Sequence, residues 1–209
     1  MFKQFSPNML KTFAQCPKKF YFKYVKNINM PVDDEIFEFG KNIHALASYY
    51  LKKQNIDKME KSLTKRESDV WQYLKTIKYF SYEHVGTEYD LAVKIGDKYC
   101  GGRLDALVKN GDKYYILDYK TGSVPKDAKY DFQTMIYMLC VSEYFDTTDV
   151  EFVYVDLRNK TEICIKFSDE LKNEYIEKIK QILGKIVSCE FRTSSKNGNC
   201  SCEYSKICF

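Results

Sequence analysis

The sequence is poor in residues that interrupt regular structure, with 4 prolines and 9 glycines among 209 residues. No stretch approaches the ~18 consecutive apolar residues that a membrane-spanning helix requires, and the first residues lack the apolar core of a signal peptide. We therefore expect a cytoplasmic protein that does not associate with membranes. A hydrophobic content of 44% predicts one sizeable core, and hence a single domain over residues 1–209.

Charge and cysteine content limit the kinds of partner and metal centre that the protein could have, but they do not identify its function. The formal net charge is only +4, which suits an anionic partner but is small for a dedicated nucleic-acid-binding domain. The eight cysteines are not expected to form disulfides in a reducing compartment. A cysteine cluster would therefore indicate a metal or an iron–sulfur centre. Four of the eight lie in the last 21 residues: Cys189, Cys200, Cys202 and Cys208.

Hydrophobic periodicity predicts helices first and then an alternation of strands and helices. Helical spacing follows the start signal Ser6-Pro7 and recurs at about 33–51 and 67–80. A period of two then predicts strands at 88–95, 98–109, 113–120, 150–157 and 161–167, with helices at 128–145 and 169–187. This order predicts an α/β fold with a mixed central sheet flanked by helices. We divide it into a helical N-terminal part (1–80), a catalytic core (83–188) and a cysteine-rich tail (189–209).

One predicted hairpin brings two carboxylates together. If Asn110-Gly111 forms a two-residue turn, Asp105 lies opposite Ile116. Asp105 and Asp118 then share one face as diagonal neighbours, about 7–8 Å apart between backbones. Lys120 is two residues beyond Asp118 and points to that same face.

This trio suits the hydrolysis of a phosphodiester. Carboxylates bind hard cations such as Mg²⁺ or Mn²⁺, and the cation activates water and offsets charge on the phosphoryl oxygens. A lysine can position the water or stabilise the developing charge. Asp118-x-Lys120 by itself is more often a solvated ion pair on an edge strand, so the surrounding motifs decide the interpretation.

Three segments resemble, in order and spacing, the successive motifs of RecB-like nucleases in the PD-(D/E)XK superfamily. They are Gly102-Arg103-Leu104-Asp105-Ala106-Leu107, Ile116-Leu117-Asp118-Tyr119-Lys120-Thr121-Gly122 and Gln133-x-x-x-Tyr137. Upstream, Gly40-x-x-x-His44-x-Leu46 resembles the histidine motif of that family. The resemblance implies a metal-dependent DNA nuclease in which Asp105, Asp118 and His44 bind metal. It also implies that Lys120 is catalytic, and that Gln133 and Tyr137 complete the catalytic site from the following helix.

Each of these assignments has a structural alternative. A histidine on an apolar helix face, such as His44, is more often a core residue when considered alone. Gln133 and Tyr137 lie one turn apart and could form a half-buried polar face. Glu88 is a weaker candidate, which we expect to shape the edge of the site.

The terminal cysteines resemble the iron–sulfur site of AddB-type helicase–nuclease subunits and of CRISPR-associated spacer-acquisition exonucleases. The resemblance implies a 4Fe-4S cluster bound by Cys16, Cys200, Cys202 and Cys208. The tail reads C-x1-C-x5-C, whereas the family tail reads C-x2-C-x5-C. Cys189 could therefore replace Cys200 or Cys202, and zinc could replace the cluster, since zinc also accepts four thiolates.

The function expected from the resemblance is cleavage of DNA ends or single strands, as an exonuclease. The expected setting is CRISPR adaptation or phage or cellular recombination and repair, with DNA and CRISPR integration proteins or a helicase as partners. Two alternatives stay open. The chain could be the nuclease subunit of a helicase–nuclease complex, or a catalytically inactive DNA-binding module with the same fold.

Overall fold

The computed structural model describes residues 2–31, 35–192 and 202–208. Its helices are α1 (Pro7–Gln15), α2 (Pro17–Phe20), α3 (Glu35–Leu51), α4 (Asp57–Ser62), α5 (Lys65–Thr76), α6 (Phe132–Phe145) and α7 (Asp169–Val187). The strands are β1 (Gln4–Phe5), β2 (Glu83–Ile95), β3 (Lys98–Asn110), β4 (Lys113–Lys120), β5 (Val150–Asp156) and β6 (Thr161–Lys166). A π-helical turn at Tyr21–Val25 continues α2, and short 3₁₀ turns cover Lys78–Ser81, Ala128–Tyr130 and Ser205–Ile207.

The six strands form one mixed sheet, which confirms the predicted fold class. β3 pairs antiparallel with β2 along one edge. Its other edge pairs with β4 near one end and with the short parallel strand β1 near the other. β5 lies parallel to β4, and β6 is antiparallel to β5. The edge of β3 between its partners β1 and β4 is thus left open beside Asp105.

Hydrophobic clusters on the two faces of the sheet hold the helices. One cluster joins the sheet to α1, α6 and α7 through fully buried residues such as Leu10, Ile136 and Ile179. The other joins it to α3 and α5 through residues such as Leu46 and Trp71. The N-terminal helices therefore cover the same sheet as the later elements. Among the described residues, no helix is long and apolar enough to cross a membrane.

The predicted β3–β4 turn was wrong by one residue. Asn110 pairs with Lys113, so the central turn residues are Gly111 and Asp112 rather than Asn110 and Gly111. Gly111 has φ of +61°, as the first central residue of a type II′ turn requires, and this fixes the turn one position later. The β3 partner of Ile116 is consequently Leu107 and not Asp105. A shift of two in the pairing keeps every side chain on its predicted face.

Most predicted elements are present, with differences at their ends. Ser6 and Ser168 cap α1 and α7 as expected, since each side chain accepts a backbone N–H bond. β2 begins at Glu83 rather than at 88. α6 begins at Phe132 rather than at 128, because Asp131 caps it there. β1 was not predicted, because two residues carry no periodicity.

Candidate active site

A cleft of about 1200 Å³ opens along α3, the middle of β3 and the end of β4. Five of the six residues predicted for the active site line it: His44, Asp105, Lys120, Gln133 and Tyr137. The sixth, Asp118, is only 3% exposed and lies beneath the cleft floor. The structure therefore brings residues that are 93 positions apart in sequence into one site.

Asp105 lies where β3 and β4 separate. The last backbone pair between the two strands is Ala106 with Leu117. One position further in the same register, Asp105 would pair with Asp118. Tyr119 N donates instead to Asp105 Oδ2 at 2.9 Å. The carboxylate thus takes the place of a main-chain acceptor in the ladder. This bond fixes one carboxylate oxygen and turns the other toward the cleft.

His44 faces Asp105 from the middle of α3. Its Nε2 lies 2.9 Å from Tyr119 O, and because a carbonyl only accepts, Nε2 must carry the proton. In the neutral ring, Nδ1 then presents a lone pair to Asp105 Oδ1 at 3.3 Å. Burial lowers the pKa of His44, but the hydrogen bond and charge of Asp105 outweigh it and the pKa is raised. Two facing acceptors require a positive charge between them, either a proton or a metal ion.

Glu88 lies beside His44 and Asp105, whereas the sequence predicts it only at the edge of the site. Potential ligand atoms of His44, Glu88 and Asp105 all lie within 4.8 Å of one another. On β2, Thr87 pairs with Ala106 and Tyr89 with Leu104, so Glu88 occupies the position across from Asp105. The predicted strands 88–95 and 98–109 leave Gly96-Asp97 as the turn between them, and counting outward from that turn would have identified this neighbour.

The backbone of Glu88 departs from a regular strand. Its φ of +50° lies in the left-handed region, which is uncommon for a residue with a side chain. Glu88 Oε2 also lies 3.0 Å from Arg103 Nε, and both side chains are substantially exposed. Non-glycine residues in this conformation concentrate at functional sites, and here the distortion coincides with the carboxylate cluster.

Asp118, Lys120 and Gln133 form a compact polar network. Gln133 Nε2 donates to Asp118 Oδ1, and Lys120 Nζ donates to Gln133 Oε1 at 2.9 Å. Lys120 Nζ also lies 2.8 Å from Asp118 Oδ2, but outside hydrogen-bond geometry. Within the described residues that buried oxygen has no hydrogen-bond donor. Burial, followed by the charge of Asp105, raises the pKa of Asp118 to about 6 in spite of Lys120.

α6 delivers Gln133 and Tyr137 to the cleft. Asp131 caps the helix by accepting from Gln133 N at 3.0 Å, so Gln133 lies in its first turn. One turn later, Tyr137 OH donates to Arg103 O at 3.0 Å. This bond satisfies a carbonyl on the part of β3 that lies between its β1 and β4 contacts. Tyr137 thus supports the backbone next to Asp105.

Comparison with known proteins agrees with this arrangement. The sequence profile of the PD-(D/E)XK nuclease superfamily matches residues 4–209. The chain belongs to the PD-(D/E)XK nuclease superfamily. A CRISPR-associated exonuclease is among the proteins that the chain is similar to, in agreement with the resemblance of its motifs to those of RecB-like nucleases.

Two relatives illustrate the similarity. The CRISPR-associated exonuclease Cas4 of Francisella tularensis subsp. novicida is 28% identical over 132 residues, which cover 62% of this chain. The match spans 66% of that relative, slightly less than two thirds of its length. A crystal structure from Eubacterium rectale, named as a candidate exonuclease, superposes with a TM-score of 0.59 at 12% identity. It covers 88% of this chain and 80% of the other, and shows a shared fold.

PD-(D/E)XK nucleases use divalent metals, and the residues of the cleft suit one. The facing Nδ1 of His44 and Oδ1 of Asp105 need a cation between them. Asp118 Oδ1 accepts from Gln133 Nε2, whereas the buried Oδ2 has no hydrogen bond of good geometry among the described residues and is contacted by Lys120 Nζ at 2.8 Å. Carboxylate oxygens with one imidazole form a donor set that fits Mg²⁺ or Mn²⁺.

The described cysteines of the predicted cluster lie where the two ends of the chain meet. Cys16 caps α2 by accepting from Lys19 N at 3.5 Å. Lys19 Nζ pairs with Glu203 at 3.0 Å, and Tyr204 OH donates to Ile28 O at 2.7 Å. These contacts hold residues 202–208 against the N-terminal helices. Cys200, the remaining predicted ligand, lies outside the described residues.

Proposed function

We propose that this nuclease hydrolyses DNA with Mg²⁺ or Mn²⁺, as an exonuclease acting on ends or single strands. The observation that carries the proposal is the grouping of His44, Glu88 and Asp105 within 4.8 Å, in one cleft with Lys120. The name of the Cas4 relative, an exonuclease, supports the exonuclease assignment. We further propose that the protein acts in the cytoplasm as one domain.

In this proposal His44, Asp105 and Asp118 hold the metal, and Glu88 completes the donor set. A divalent cation bound there would lower the pKa of an attacking water and offset charge on the phosphoryl oxygens. The hydrogen bond from Tyr119 N to Asp105 Oδ2 orients the carboxylate and leaves its other oxygen, Oδ1, for the cation.

Lys120 and Gln133 act on the reacting groups in this scheme. The Lys120 ammonium is held between Gln133 Oε1 and Asp118 Oδ2, at 2.9 and 2.8 Å. From there it can donate to the attacking water or to a phosphoryl oxygen. Gln133 bridges the lysine and Asp118 and so keeps both in place, while Tyr137 supports the strand that carries Asp105.

The similarity to Cas4 supports a proposal for the cellular setting. We propose a role in CRISPR adaptation, with integration proteins as partners, because the matched relative is CRISPR-associated. Phage or cellular recombination and repair, with a helicase partner, is the alternative setting. Purified protein that cuts DNA only after addition of a helicase would favour that alternative.

The test of the proposed activity uses purified protein and end-labelled single- and double-stranded DNA. We expect cleavage with Mn²⁺ or Mg²⁺, loss of cleavage in EDTA, and loss in Asp105→Asn. Tyr144→Ala is the matched control, since this side chain lies on the distal end of α6 and is 63% exposed. A protein that binds DNA but never cuts it would be the inactive module and would refute the proposal.

We also propose that Cys16, Cys200, Cys202 and Cys208 bind a 4Fe-4S cluster. Support comes from the packing of the tail against the N-terminal helices through Glu203 and Tyr204. Protein purified without oxygen should contain about four irons and four sulfides per chain, and Cys16→Ser should lose both. Cys140→Ser is the control, because that thiol is on α6 and is buried against Cys100 of β3. One zinc per chain without iron would replace the cluster by a zinc site. Retention of iron in Cys200→Ser or Cys202→Ser, together with its loss in Cys189→Ser, would show that Cys189 is a ligand in place of that cysteine.

A further inference from the structure

The active-site cleft continues beyond the metal-binding residues along α3. Gly40, His44, Ser48 and Lys52 recur at every fourth position, and all four line the cleft. From His44 to Lys52 the helix rises ~12 Å at ~1.5 Å per residue. A second groove of about 1100 Å³ begins there, since Lys52 and Gln54 line both cavities. The two grooves therefore adjoin at Lys52 and Gln54, and together they define a path from the metal site past the end of α3.

Two adjacent tyrosines, Tyr49 and Tyr50, lie at the end of α3. Each lines one of the two grooves that adjoin at Lys52. Consecutive helical residues point about 100° apart, because the helix has ~3.6 residues per turn. Tyr49 accordingly lines the first groove and Tyr50 the second. Their exposed fractions are 46% and 36%, so part of each side chain is accessible to a ligand. The path thus offers one ring to a ligand in each groove.

The Tyr50 ring is held rigidly. Phe80 stacks against it with ring centroids 5.6 Å apart, and Trp71 meets it edge-on at 5.2 Å. Phe80 also lines the second groove. Because these contacts already hold the Tyr50 ring in place, it loses little conformational entropy when a flat ligand stacks on it, and this favours binding.

Charge in the second groove is balanced. Its lining includes three lysines (Lys52, Lys53 and Lys75) and three acids (Asp57, Glu60 and Glu83). Glu60 is already paired with Lys75 at 3.1 Å. Long-range attraction of a polyanion is therefore weak in this groove. Binding there must depend on ring contacts, with a cationic contact at Lys52 where the two grooves meet.

We propose that the second groove is a distal subsite for single-stranded DNA. A strand bound at the metal site continues along α3, stacks one base on Tyr49 and another on Tyr50, and places a phosphate near Lys52. Stacking on protein rings requires unstacked bases, and in a duplex these base faces are covered by neighbouring bases. The inference rests on the proposed nuclease function and adds to it the position of the strand beyond the cleavage site.

The test measures binding of fluorescent dT3 and dT12 in EDTA, so that no cleavage occurs. Tyr50→Leu keeps an apolar side chain against Phe80 and Trp71 but removes the ring. We expect this variant to bind dT12 about tenfold more weakly, as loss of one base stack implies, and to bind dT3 normally. Tyr99→Leu is the matched control, because Tyr99 is 49% exposed and lines neither groove. Circular dichroism melting establishes that both variants fold.

Salt dependence separates stacking from charge. Lys52→Gln should reduce the slope of log affinity for dT12 against log salt by about one, and Tyr50→Leu should leave it unchanged. Unchanged dT12 binding by Tyr50→Leu would overturn the subsite even if the parent protein cuts DNA. An equal Tyr50 effect on a blunt 12-base-pair duplex would overturn the single-strand assignment. Failure of the parent to bind or cut any DNA would overturn the proposed function as well.

Discussion

Replacement of Asp118 by asparagine should stabilise the metal-free protein at neutral pH. The Asp118 side chain is 4% exposed, and burial with the nearby charge of Asp105 raises its pKa from 3.8 to about 6. An acid with a raised pKa holds its proton more tightly in the folded state. Stability is therefore lost as pH rises from the unfolded-state pKa through the folded-state pKa. Asparagine keeps an oxygen that can accept from Gln133 Nε2 but carries no charge.

The size of the effect follows from the two pKa values. The raised pKa lowers the free energy of unfolding by about 3 kcal/mol once Asp118 is fully ionised, at ~1.36 kcal/mol per pKa unit. At pH 4 most of this penalty is absent, because the folded carboxyl is still protonated. Between pH 4 and pH 7.5 the stability of Asp118→Asn relative to the parent should thus rise by about 2 kcal/mol. The attraction of Lys120 for the ionised carboxylate is already included in the folded-state pKa of about 6.

Urea denaturation in EDTA at several pH values measures this difference directly. Asp112→Asn is a suitable control, since Asp112 is exposed in the β3–β4 turn. A stability difference that stays constant from pH 4 to pH 7.5 would show that Asp118 carries no buried charge. Excess Mn²⁺ should reverse the ranking, because it stabilises only a protein that binds it.

Three further predictions concern the site and the domain. Lys120→Ala should lower the cleavage rate by orders of magnitude while Mn²⁺ affinity changes little; equal losses of rate and affinity would contradict a role for the ammonium on water and phosphate. Mn²⁺ affinity should fall as pH is lowered, because the pKa of His44 is raised and a proton competes with the metal for Nδ1. In calorimetric titrations, His44→Ala should bind Mn²⁺ more weakly and lose that part of the pH dependence. An unchanged pH profile in this variant would place His44 in the core. Phe20→Ala removes a fully buried ring that packs on Phe13 and Phe191; it should lower the free energy of unfolding by about 3–5 kcal/mol in one cooperative transition, whereas two separate transitions would indicate an independent N-terminal domain.

The sequence predicts those parts of the fold that local patterns encode. β4 was predicted at its observed limits because its ends are marked by Gly111 and Thr121-Gly122 and its interior is apolar. Asp118 and Lys120 share a face simply because they are two residues apart. α6 brings Gln133 beside them, as the family motif implied.

Other features depend on contacts that no local pattern records. β1 exists because Gln4 and Phe5 pair with Tyr99 and Cys100, about 95 positions later. The separation of β3 from β4 at Asp105 creates the bond from Tyr119 N. The same separation leaves Tyr119 O to accept from His44. Such backbone contacts depend on the sheet opening at one point, and the sequence does not reveal where.

The central claim is that His44, Glu88, Asp105 and Asp118 surround one divalent metal ion. Anomalous X-ray scattering from crystals soaked in Mn²⁺ locates such an ion without reliance on activity. We predict one strong peak in the cleft, between His44 Nδ1 and Asp105 Oδ1, which lie 3.3 Å apart. The pair should separate to admit the ion, and the peak should vanish in Asp105→Asn. A protein that cleaves DNA in Mn²⁺ yet shows no peak at these residues would contradict the account.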